Sequence, residues 1–242
     1  LQTQITGTWV LLEAARKYGA ERYLQVSTDE VYGQVMDGSA TEESPLAPRN
    51  PYSATKAGAD LLALSYFTTH GTPVVVTRGS NTYGPYQYPE KLLPLFATNA
   101  IDDLPLPLYG DGRQVREWTH VLDHCSGIAT VLERGELGQV YNVSSGEERE
   151  NVQITDIILR TLGKPASLIR PVEDRPGHDR RYSVDATKLR ALGWRPEHSD
   201  DAGLASTVAW YRDHEAWWRP LKSGEYLDYY QRQYGARLAA AQ

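Results

Sequence analysis

Near the start of the chain Ile5, Trp9, Leu12 and Ala15 recur at helical spacing, with Gly19 placed to act as a left-handed cap. The pattern predicts a helix over residues 1–18. The run Tyr23-Leu24-Gln25-Val26-Ser27 is short, apolar and bounded by polar residues, which predicts a buried parallel strand with its functional end at Ser27-Thr28. Residues 32–51, rich in Gly, Ser, Glu and Pro, read as a long loop. Helical periodicity returns over residues 53–70 through Ala57, Leu61, Leu64 and Phe67 and ends at Gly71, and residues 73–78 read as a second buried strand. After Tyr83 the rhythm loosens. Proline and aromatic residues crowd positions 85–109, a helix is expected over 121–133 and a strand over 140–143. Short helices are expected over 156–162 and 187–192, and a longer one over 202–218.

Helix, strand, loop, helix and strand in that order indicate an α/β fold with a Rossmann-like doubly wound parallel sheet, whose ligands sit at the C-terminal ends of the strands. The composition fits a globular protein of 242 residues, with 40% hydrophobic and 23% charged positions. The formal charge of −6 and the absence of a basic run argue against nucleic acid as a partner. No apolar stretch approaches the ~20 residues of a membrane helix, so no membrane association is expected. Cys125 is the only cysteine, which fits a reducing, cytoplasmic setting.

Tyr52 and Lys56 are four residues apart near the start of a predicted helix and so share one face. A nearby ammonium is expected to lower the phenol from its usual pKa of ~10, making it a usable base toward an alcohol. Tyr-x-x-x-Lys alone is common by chance, and its surroundings give it meaning. Asn50-Pro51-Tyr52-Ser53-Ala54-Thr55-Lys56-Ala57-Gly58 follows Ser27-Thr28-Asp29-Glu30-Val31-Tyr32-Gly33, which opens at the predicted end of the first strand. With these segments the chain resembles the extended short-chain dehydrogenase/reductases, and within them the dTDP-glucose 4,6-dehydratases. The adjacent acids Asp29 and Glu30 separate that family from epimerases and decarboxylases of the superfamily. Dehydration needs two carboxyl groups in different protonation states.

The resemblance implies a catalytic set of Thr28, Asp29, Glu30, Tyr52 and Lys56, with Glu30 as base and Asp29 as acid. It implies NAD as cofactor, contacted by Ser27, Tyr52 and Lys56, and a nucleotide-sugar substrate. The long segment from Arg78 to Pro94 is similar to the family's diphosphate-wrapping stretch and implies binding roles for Asn81, Lys91 and Leu92. Tyr109 and Arg116 lie in the next matching segment, and Asn151, Arg175 and His178 in the last ones. No metal site is implied. A homodimer joined through the helix carrying Tyr52 and the N-terminal helix is implied as well.

The expected organisation is a NAD-binding portion over 1–81 and 118–146, lacking its first strands, and a smaller mixed α/β nucleotide-sugar-binding domain over 82–117 and 147–242. The sequence holds no Gly-rich dinucleotide turn, since Gly110-Asp111-Gly112 is too short and wrongly placed. Beginning at Leu1 with its only methionine at Met36, it reads as a fragment whose cofactor competence is in doubt. Gln4, Gly79 and Thr82 depart from the family's commoner residues without removing a catalytic group. UDP-glucose dehydration and a non-catalytic nucleotide-sugar-binding role stay open as alternatives.

Overall fold

A computed structural model describes residues 1–241. The strands are β1 (Tyr23–Thr28), β2 (Val74–Gly79), β3 (Asn81–Tyr83), β4 (Leu106–Tyr109), β5 (Val115–His120), β6 (Val140–Val143), β7 (Glu148–Glu150) and β8 (Ile169–Val172). The helices are α1 (Gly7–Tyr18), α2 (Pro51–His70), α3 (Leu92–Ile101), α4 (Val121–Arg134) and α5 (Asn151–Leu162), then α6 (Thr187–Ala191), α7 (Asp201–Asp213), α8 (Glu215–Trp218), α9 (Glu225–Tyr230) and α10 (Ala236–Ala240). The strands pair in the orders β1-β2-β6, β3-β5-β7 and β4-β8. Two compact units result: residues 1–82, 116–148 and 179–197, and residues 83–115, 149–178 and 198–242.

The first unit is built on the parallel β1-β2-β6 sheet, with Thr28 opposite Gly79 and Arg78 opposite Asn142. Alternation along β2 covers both faces of that sheet. Val74 and Val76 pack with Leu12 of α1 and with Ala63 and Tyr66 of α2, whereas Val75 packs with Val131 of α4 and Leu189 of α6. Helices on both faces make this the doubly wound arrangement expected from the sequence. β1 ends the strand order, and its Val26 is 42% exposed.

Helix α2 is set by local chemistry. The Asn50 side chain accepts from the Ser53 amide at 2.9 Å, Pro51 occupies the first turn, and Gly71 closes the helix at φ 66°. Gly33 follows the one-turn 3₁₀ segment Asp29–Tyr32 at φ 72°, where a Cβ would come within 2.2 Å of the Ala47 carbonyl oxygen. Only glycine fits there.

The second unit packs α3, α5 and α7 together and carries the parallel pair β4-β8. Aromatic side chains tie its loops to its helices: Tyr211 donates to the Gln87 carbonyl at 2.7 Å, Tyr226 to the Pro89 carbonyl at 3.0 Å, and Trp218 Nε1 to the Tyr211 carbonyl at 2.7 Å.

Four sequence expectations change. Residues 179–197 belong to the first unit, not to the second domain. Arg181 forks onto Glu148 at 2.8 and 2.6 Å, Ser183 donates to Glu117, Val184 bridges Ala40, and Leu189 and Trp194 join the core around Val75. The helix expected over 202–218 breaks at His214 (φ −124°, ψ 40°), whose ring stacks on Trp210 at 4.5 Å and lies with Nδ1 2.9 Å from the Trp210 carbonyl oxygen. That oxygen would otherwise accept from the His214 amide in a continuing helix. α3 arises within the proline-rich stretch, and α5 begins at Asn151, earlier than expected, because Glu150 and Gln153 form a capping box.

Candidate active site

The catalytic candidates gather at the C-terminal end of β1 in the first unit. Ser27 and Thr28 are the last residues of the strand, both buried, and Asp29 and Glu30 begin the 3₁₀ turn. Thr28 caps that turn, its Oγ1 accepting from the Glu30 amide at 3.3 Å and donating to Asp29 Oδ1 at 3.2 Å. The two acids then meet different surroundings. Asp29 is 3% exposed, and its Oδ2 has no hydrogen-bond partner. Burial, reinforced by Glu117 and Glu30 and opposed by Arg116 and the Thr28 hydroxyl, pushes its carboxyl up to about 8. Glu30 is half-buried and accepts from Asn50 Nδ2 at 3.1 Å. A buried, donor-poor carboxyl that holds its proton therefore stands beside a half-buried one held by Asn50, the kind of split environment that acid and base roles require.

Tyr52, 47% exposed in the first turn of α2, lies within the field of both acids. Its electrostatics depart from the expectation. Burial first, then Glu30 and Asp29, push the phenol above its ordinary value. Lys56 does not act as the expected counterweight: its Nζ donates to the Val26 carbonyl at 3.0 Å, and burial pushes the ammonium down against the opposing pull of Asp60.

Of the expected substrate residues, Asn81 and Arg116 lie in the first unit. Asn81 is exposed at the start of β3. Arg116 is 5% exposed, donates Nη2 to the Asp179 carbonyl at 2.8 Å and stacks its guanidinium 4.2 Å from the Tyr182 ring centroid.

The others lie in the second unit. His178 Nδ1 is 2.7 Å from Asp174 Oδ1, and Gln114 donates to Asp174 Oδ2 at 2.8 Å. The Asn151 amide donates to the Gln114 carbonyl at 3.0 Å, and the Tyr109 ring packs edge-on to His178 at 6.0 Å. This network joins Tyr109, Asn151 and His178. Lys91 is 69% exposed beside Glu90 at 3.5 Å, Leu92 opens α3 half-buried, and Arg175 is exposed, its amide donating to Asp174 Oδ1 at 2.8 Å.

Two functional neighbours escaped the sequence reading. Asn50 was legible only as part of a motif, yet one side chain both caps α2 and holds Glu30. Glu117, 2% exposed, is the strongest charge acting on Asp29, and its only signal was an acid within an otherwise strand-like run.

The family model for GDP-mannose 4,6 dehydratase matches residues 1–207. The chain belongs to the sugar-nucleotide 4,6-dehydratase family. Among individual relatives of this dehydratase, a dTDP-glucose 4,6-dehydratase from Actinoplanes sp. is 54% identical over 217 residues, covering 89% of the chain and 68% of the relative. The crystal structure of the dTDP-glucose 4,6-dehydratase of Bacillus anthracis in complex with NAD superimposes with a TM-score of 0.88 at 51% identity, covering 91% of the chain and 71% of that structure. The Streptomyces venezuelae enzyme, also with NAD bound, gives 0.89 at 53% identity over 91% and 69% of the two chains.

Proposed function

We propose that this dehydratase converts dTDP-glucose to dTDP-4-keto-6-deoxyglucose with NAD as its cofactor. The observation that carries the reading is the split environment of Asp29 and Glu30 at the end of β1, one carboxyl buried and short of donors, the other half-buried and held by Asn50.

The residues present fit the nicotinamide-ribose end of NAD. An accessible Tyr52 phenol and a half-buried Lys56, with one hydrogen bond to Val26, stand at the C-terminal end of a parallel strand, where such sheets bind nucleotides. When bound, NAD supplies the hydride acceptor for C4 and the hydride donor for C6. Tyr52 takes the proton of the C4 hydroxyl, with Thr28 orienting that hydroxyl; Lys56, donating to the Val26 carbonyl, serves the cofactor. The resulting C4 ketone acidifies the C5 proton, which Glu30 removes. Asp29 protonates the C6 hydroxyl, which departs as water. Within the second unit the Tyr109, Asn151 and His178 network serves the nucleotide, and within the first the Arg116 guanidinium is of the kind suited to phosphate oxygens.

The test is product mass after incubation with dTDP-glucose and NAD. Loss of one water is expected. An unchanged mass would point to epimerisation and overturn the reading, and faster turnover of UDP-glucose would reassign the base. Saturable NAD binding is the matching requirement, and its absence would favour a nucleotide-sugar-binding role without catalysis.

The same reading places a homodimer in the cytoplasm. Trp9, Val10 and Leu11 on α1 and Leu61 on α2 are 49–59% exposed, an apolar surface suited to a second copy of the chain. Sedimentation should return twice the 27.1 kDa chain mass; a monomer at micromolar concentration would refute the dimer.

A further inference from the structure

Glu117 is a buried carboxylate that the reaction outlined above leaves unused. It lies on β5, and both its oxygens are engaged. Ser144 Oγ donates to Oε2 at 2.7 Å, Ser183 Oγ to Oε1 at 3.1 Å, and the Val184 amide to Oε2 at 3.2 Å. Hydrogen bonds of this kind favour the charged form, against burial, which pushes Glu117 upward. Asp29 is the other buried carboxyl here, and it has little such support: the Thr28 hydroxyl on Oδ1 and nothing on Oδ2. When two buried carboxyls repel each other, the proton resides on the one with fewer donors.

We propose that Glu117 is a positioning residue for the elimination, a fixed carboxylate that keeps the transferable proton on Asp29. The proposal rests on Asp29 being the acid of the reaction above. Thr28 pairs with Gly79 and Gly79 with Val143, so Asp29 and Ser144, the donor to Glu117, leave the same end of the β1-β2-β6 sheet. The charges reaching Asp29 there are Glu117 and Arg116 from β5 and Glu30 from its own turn, while Glu117 also faces Glu148 and Arg181. The sign follows from repulsion. Burial first, and Glu117 after it, raise Asp29, so Asp29 carries its proton below about pH 8 and loses it above. Neutralising Glu117 moves that midpoint down.

The experiment is a ¹³C NMR titration of aspartate and glutamate carboxyl carbons in the 242-residue chain, without substrate. Asp29→Asn assigns the Asp29 resonance. Glu117→Gln should lower the Asp29 midpoint by about one pH unit or more, so that roughly tenfold fewer molecules carry the proton at alkaline pH. Glu117→Asp, which removes the glutamate resonance but keeps the charge, should leave the midpoint near wild type. An unmoved Asp29 midpoint in a folded Glu117→Gln variant overturns the proposal. If that variant does not fold, the wild-type chain still decides: a Glu117 resonance titrating above Asp29 would place the proton on the wrong residue. Should Asp29→Asn dehydrate substrate at the wild-type rate, the functional reading fails while the titration result stands, so the two failures are distinguishable.

Discussion

Glu30→Gln lowers the rate of water loss about 10²–10⁴-fold while oxidation at C4 survives, the range expected for removing a positioned general base. The glutamine keeps the size of the side chain and can still meet Asn50, so the turn after β1 stays in place. Asp29→Asn causes a loss of the same order by a different route, because an amide cannot protonate the departing C6 hydroxyl. Solvent deuterium separates the two. With Asp29→Asn the C5 position still exchanges, because Glu30 remains, but no water is lost; with Glu30→Gln the exchange stops as well. Wild-type rates in both variants would remove these residues from the mechanism. So would C5 exchange at an undiminished rate in Glu30→Gln.

Asp60→Ala should cost about 3–5 kcal/mol of stability, the largest structural loss expected from a single change in α2. Asp60 is fully buried, and Arg78 on β2 reaches it through Nε at 3.0 Å while only 4% exposed. Arg78 also donates Nη1 to the Tyr32 hydroxyl at 2.9 Å, and that hydroxyl donates to Asn142 on β6 at 2.8 Å. Removing the carboxylate leaves a buried guanidinium without its counter-charge, whereas removing an exposed side chain such as Thr68 from the same helix should change stability by less than ~0.5 kcal/mol. Urea denaturation compares them directly. A cost below ~1 kcal/mol for Asp60→Ala would mean that Arg78 finds another partner. One turn before Asp60 on the same helix stands Lys56, so the loss should also loosen the catalytic face of α2.

Most of the first unit was legible from sequence because its elements are governed by local chemistry. The Val74-Val75-Val76 run reads as a buried strand, and the glycines Gly19 and Gly71 end their helices. The second unit was less legible. Proline at position 94 and the aromatic residues around it obscure α3, whose eight central residues are all buried and which is stabilised by packing against α5 and α7. The break at His214 depends on the Trp210 ring and carbonyl four residues earlier, and the placement of residues 179–197 on contacts with Glu117, Glu148 and Ala40, remote in sequence.

Thr28, Asp29, Glu30, Tyr52 and Lys56 were all identifiable as a set, since each lies in a short motif whose residues are neighbours along the chain. Sequence alone therefore determined the fold class, the identity of the acid pair and the reaction type it suits. The resemblance implied Asp29 as acid and Glu30 as base, but the sequence did not determine the environment that keeps the proton on Asp29, or that Lys56 turns to the Val26 carbonyl while Tyr52 is raised by burial and its acidic neighbours. Those outcomes depend on burial, on charges brought from β5 and on the Asn50 amide from the loop before α2, and the tertiary structure alone sets which groups lose water and which charges come within range.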